Sequence, residues 1–176
     1  MLAIVALALT PLAGQAATVE FEVMSMANSS TGGTGLATGI VLEFGESFSV
    51  TAGVEDTWIL GSETKRIGNA DGLTFEPSGN PWNWTQDGFT TLFGTLVGMI
   101  GTGDFFAIGT AFSGDANAAG ELRLFNWDSN SSDNRGFITA GVTYDSVSAI
   151  PLPATGLLLV GALGGLGLAR RKRNAA

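Results

Sequence analysis

Oxygen-bearing side chains crowd the stretch Asn126-Trp127-Asp128-Ser129-Asn130-Ser131-Ser132-Asp133-Asn134-Arg135-Gly136. Calcium is a hard cation that takes about six to eight oxygen ligands, and neither histidine nor cysteine is needed to hold it. Asp128 and Asp133, the amides of Asn130 and Asn134, and nearby backbone carbonyls are therefore candidate calcium ligands. Asp128, Asn130 and Ser132 repeat the first, third and fifth positions of an EF-hand loop. The imitation stops there: Asp133 stands where that loop needs glycine, Thr139 where it needs a bidentate glutamate, and both flanks read as strands. Asp, Asn and Ser also build ordinary solvated turns, because they hydrogen-bond their own backbone. From the loop alone the two readings stand level.

Other chemistries are closed by composition. The chain has no cysteine and no histidine, so thiol chemistry, Ser-His and Cys-His nucleophiles and the usual zinc ligand are all absent. Glu55-Asp56 is a carboxylate pair of the kind glycoside hydrolysis uses, but neighbours in a strand point to opposite faces. The reading is of a protein that is not an enzyme. All sixteen carboxylates lie between residues 17 and 149, against only Lys65, Arg66, Arg123 and Arg135, a net charge of −12 for that stretch. Such a surface repels nucleic acid and anionic membranes, and suits divalent cations or neutral glycans.

The elements that must position the loop read as strands. Val19, Phe21 and Val23 alternate with polar residues, the period of a half-buried strand. Ile40 to Phe44 and Phe48 to Ala52 flank a glycine-bearing turn, after a loop from Ala27 to Gly35 that is expected to be flexible. Ser62 to Gly88 reads as a long excursion packed down by Trp82 and Trp84. Leu92 to Ile100, Phe105 to Phe112, Glu121 to Asn126 and Ile138 to Tyr144 are further strands, the acidic loop forming a hairpin between the last two. With 26 glycines and no sustained helical period before the tail, the fold predicted is all-β, an antiparallel β-sandwich or jelly roll. Trp82, Trp84 and Trp127 are expected in the core, ahead of a role as a stacking face for a sugar ring.

The order Gly94 to Gly101, an apolar strand, Gly120-Glu121-Leu122-Arg123-Leu124, the Asp128 to Gly136 loop and a Thr-rich strand resembles the bacterial calcium-dependent galactose-binding lectins. Gly45 to Gly53 adds to the likeness, which covers Thr38 to Tyr144. It implies a β-sandwich in which one calcium ion directly coordinates sugar hydroxyls. Asp128 matches the chelating aspartate, and Asp133 and Asn134 match the acidic/amide pair. Backbone carbonyls near Asn130 or Ser131, and near Thr57 or Trp58, would complete the set. The loop is two residues shorter than in that family, and nothing around Glu76 to Asn80 replaces its galactose-contacting histidine and glutamine. Calcium would survive these departures while galactose preference would be lost. The alternative is a structural matrix protein that takes no small ligand.

The ends of the chain read as addresses. Leu2 to Leu12 has the length of a secretory apolar segment, and Gly14-Gln15-Ala16 offers small residues for cleavage after Ala16. No Lys or Arg precedes it, so the amino terminus alone supplies the positive charge ahead of the apolar run. At the other end Ile150-Pro151-Leu152-Pro153-Ala154-Thr155 is followed by an apolar run, 156–169, and by Arg170-Arg171-Lys172-Arg173. As a helix the run is about 21 Å long, short for a hydrocarbon core of about 30 Å. The basic cluster holds its end in the cytoplasm. This order resembles the PEP-CTERM class of sorting tails in its V-P-L-P-A variant, with Ile150 in place of valine. The resemblance implies export in a Gram-negative bacterium, a transient transmembrane helix in the inner membrane, recognition by an exosortase-type enzyme, and delivery to the cell surface or extracellular matrix. Exopolysaccharide or another glycan would be the partner there. Leu152-Pro153-Ala154-Thr155-Gly156 also matches the L-P-x-T-G motif of Gram-positive sortase substrates, the second reading of the tail. The domains expected are a signal peptide (1–16), a β-sandwich (17–149) and a sorting tail (150–176).

Overall fold

Alternation of apolar and polar residues sets strands such as Leu36–Leu42 and Ser47–Ala52, where the buried positions follow it. The structure, a computed structural model, describes residues 15–61, 66–73 and 82–146. The expected signal helix up to Gly14, the sorting motif Ile150 to Ala154, the apolar tail helix and the cluster Arg170 to Arg173 lie outside the described residues. Among those described, no helix is long and apolar enough to cross a membrane. Residues Ala16–Asp145 cluster as one unit.

The strands are β1 (Gln15–Met24), β2 (Leu36–Leu42), β3 (Ser47–Ala52), β4 (Trp58–Ile59), β5 (Ile67–Gly68) and β6 (Asn83–Gln86). They continue with β7 (Phe89–Leu92), β8 (Leu96–Ile100), β9 (Phe106–Ala107), β10 (Ala111–Asp115), β11 (Gly120–Asn126) and β12 (Arg135–Ser146). β1 takes in Gln15 and Ala16, the last two residues of the segment expected to be removed. One sheet runs β10-β3-β12-β4-β5, with β1 also paired to β12; a second runs β2-β11-β8-β9; β6 and β7 form a separate hairpin. The specified registers are antiparallel. The described domain is all-β, as predicted. Val23, Phe48, Val50, Ile138 and Val142 from the first sheet share one buried cluster with Leu42, Leu96, Ile100, Leu122 and Leu124 from the second, consistent with a sandwich.

Several expectations change: Leu92 to Ile100 is divided by a turn at Phe93–Gly94 between β7 and β8, and the excursion from Ser62 to Gly88 holds β5 and β6. The acidic loop is not a hairpin, because β11 and β12 belong to different sheets and the loop carries the chain from one to the other. A period of two fixes which face a residue occupies but says nothing about its partner strand. Phe105 to Phe112 divides into β9 and the start of β10, which also lie in different sheets. Ala27 to Gly35 is anchored: Asn28 and Ser29 are buried, Ser29 bridges to Asn126, and Ser30 N donates to Asn126 O at 2.9 Å. Polar contacts hold the segment where apolar ones were sought. Glu55 and Asp56 sit in a turn, not a strand, and Asp56 Oδ2 accepts from Thr139 N at 3.1 Å.

The β6–β7 turn follows directly from its residues. Asp87 and Gly88 have φ of 51° and 82°, the left-handed pair that a two-residue Asp-Gly hairpin requires.

Candidate functional site

Asp128 follows Trp127, whose fully buried indole packs edge-on against Phe89 and Phe105 and donates Nε1–H to Trp84 O at 3.0 Å. That anchor fixes where the loop leaves β11. Ser30 then clamps Asp128 by its backbone: its Oγ accepts from Asp128 N and donates to Asp128 O, each at 3.1 Å. The Asp128 side chain is 6% exposed. Its Oδ1 accepts from Ser129 N at 2.7 Å and Asn130 N at 3.4 Å, and its Oδ2 accepts from Asn134 Nδ2 at 2.6 Å. Burial pushes the carboxyl above its ordinary value of 3.8; the Asn134 amide and the two backbone N–H groups oppose this, and the neighbouring Asp133 charge adds to it.

The other three predicted ligands have distinct settings. Asn134 is fully buried; besides Asp128, it reaches Ser25 O at 3.4 Å through Nδ2 and accepts from Gly61 N at 3.1 Å through Oδ1. It orients Asp128 and ties the loop to the segment after β4. Asn130 Oδ1 accepts from both Ser132 N and Ser132 Oγ, while its Nδ2 donates to Asp133 Oδ1 at 3.0 Å. Two donors fill the lone pairs of that amide oxygen, so the Asn130 side chain shapes the loop. Asp133 keeps Oδ2 outside any hydrogen bond among the described residues.

Asp128, Ser129, Asn130 and Asp133 line a cavity of about 330 Å³. Leu60, Gly61 and Arg66 join them, with the apolar side chains of Leu73, Trp82 and Phe93. The backbone of Leu60–Gly61 borders the cavity, while Trp58 pairs with Gly136 at the end of the loop; the Trp58 side chain is buried and donates its indole N–H to Gly94 O at 3.0 Å. Of the three tryptophans expected in the core, Trp127 is wholly buried, whereas Trp82 is half-buried at the cavity with the Arg66 guanidinium 4.2 Å from its ring centre. Sequence reading missed Arg66, Gly61, Ser25 and Ser30. The polar residues of the 27–35 stretch were the available signal for Ser30, and a lone arginine gave none.

The donor set suits a hard cation. Asp128 is a buried carboxylate with no cationic partner within ion-pair distance among the described residues, where the ion pair present is Arg123–Glu121. Asp133 supplies a second carboxylate at the same cavity. No three acidic side chains converge among the described residues, so backbone carbonyls, water or ligand hydroxyls must provide the rest of a calcium shell.

No protein-family model matches the chain, and no curated protein matches it. Among solved structures, the fold is similar to that of the EclA N-terminal domain, described as a PllA-like lectin. The TM-score is 0.50 at 22% identity, over 72% of this chain and 94% of that one. The described domain thus has a lectin-like all-β fold, and at that identity the likeness is one of fold alone.

Proposed function

We propose that the protein binds carbohydrate through a calcium ion held at the Asp128 loop. One observation carries this reading: a buried carboxylate, with no cation in ion-pair contact among the described residues, lines a cavity in a lectin-like fold. Asp128 and Asp133 would hold the ion, and Asn134 would keep Asp128 in position. Bound calcium would offer open coordination positions to vicinal sugar hydroxyls. The absence of histidine and cysteine supports a binding role over catalysis.

The tail extends the proposal to location. Its motif and basic cluster support export through the inner membrane of a Gram-negative cell, processing by an exosortase-type enzyme, and display at the surface or in the matrix. An exopolysaccharide is the partner that fits such a place.

Calcium titration of the full chain by calorimetry, with Asp128→Ala as control, tests the site. The expected result is saturable binding that Asp128→Ala abolishes, together with glycan-array signal that chelator removes. Heat unchanged in the variant would displace the site. Folding indifferent to calcium, with no glycan signal, would favour the structural matrix reading.

A further inference from the structure

Arg66 is placed for recognition. Its backbone is fixed, since Leu60 N donates to Arg66 O at 2.9 Å, and its guanidinium lies over Trp82 at the cavity. A sugar ring therefore cannot stack on that face of the indole, and a ligand entering there meets a cation instead. Among the described residues this guanidinium has no ion pair and donates no hydrogen bond. Arg123, by contrast, lies 3.6 Å from Glu121 and donates to Thr34 O at 2.6 Å. A methyl group built on Gly61 would lie 2.9 Å from Arg66 Nη1 and 3.5 Å from Asp133 Oδ2. The cation and the carboxylate thus flank the same bare backbone position.

Charge decides what such a cavity takes. A divalent ion would balance Asp128 and Asp133, leaving the Arg66 charge in surplus beside it. A guanidinium held on an aromatic face keeps its in-plane N–H edges free, and that planar fork matches a carboxylate. Resting on the calcium-lectin reading above, we propose that the ligand is an acidic pyranose, a uronic acid whose carboxylate pairs with Arg66 while its hydroxyls face the Asp128 loop.

The test compares methyl glycosides of glucuronic and galacturonic acid with those of glucose and galactose. Binding is followed by calorimetry and tryptophan fluorescence on the full chain in calcium buffer. The wild type should favour at least one acid over its neutral counterpart by about tenfold, the scale of a charge-assisted pair. That ratio should approach one in Arg66→Gln and take an intermediate value in Arg66→Lys, which keeps the charge but loses the fork. Melting curves report whether each variant is folded, and Arg66→Lys carries the test if the glutamine variant is not. Neutral sugars binding as tightly as acids, or a preference that survives loss of the guanidinium, would overturn this inference and leave the lectin reading standing. Failure of every sugar to bind would overturn both.

Discussion

Asp128 carries a charge that its surroundings disfavour, and this makes its titration a probe of the site. Its carboxyl is raised above 3.8, first by burial and then by Asp133, against the pull of Asn134 and two backbone N–H groups. Below 3.8 the group is protonated in both folded and unfolded chains and costs nothing. As pH rises through the higher folded value, the unfolded chain ionises more readily, so the folded state loses stability. In chelator, the melting temperature of the wild type relative to Asp128→Asn should therefore fall as pH is raised from below 3.8 to neutrality. On the proposed function calcium should restore it, because the ion would bind the folded carboxylate. Thermal scans of both proteins across that range check the sign. A difference flat with pH in chelator would mean that the carboxyl is already compensated.

At the scale of elements, the site is a meeting of loops whose sequence distance hides their contact. Ser30 and Asp128 are 98 residues apart, and Ser30 is further held by Gln86, whose Nε2 donates to Ser30 O at 3.2 Å. Replacing Ser30 with Ala removes both hydrogen bonds to the Asp128 backbone and should cost about 1–2 kcal/mol of stability. Calcium affinity should drop several-fold, since the loop would no longer be held in one geometry; paired melting and calorimetry measurements separate the two effects. Affinity unchanged in Ser30→Ala would show that Trp127 and Asn134 suffice. The same geometry explains what was legible in the sequence. Ile138, Ala140 and Val142, or Phe48 and Val50, announce their buried face by alternation, and Asp128 announces itself by the oxygen donors around it. Sheet membership does not appear, because alternation is blind to partner choice. Asn28 and Ser29 fall in the loop expected to be flexible, since burial of a polar side chain depends on a partner that only the folded chain supplies.

For the molecule as a whole, the proposed function assigns binding to a domain of net charge −12 and delivery to a tail that carries the four cations Arg170 to Arg173. The acidic stretch has few cations of its own, which makes the position of Arg66 within the cavity informative and favours a ligand reached through calcium over one attracted by the general field. The tail, residues 150–176, has no acidic residue. Its role is testable without any ligand. In a host that has an exosortase, Pro151→Ala with Pro153→Ala should leave the chain unprocessed in the membrane fraction, because the rigid extended motif ahead of the apolar run would be lost. Replacing the cluster Arg170 to Arg173 with neutral residues should weaken retention of that end in the cytoplasm. Fractionation and intact mass of the mature protein read both outcomes. A mature carboxyl terminus identical in wild type and proline variant would remove the sorting motif from the account and leave the tail as an ordinary membrane anchor, while the predictions for Asp128, Ser30 and Arg66 would stand unchanged.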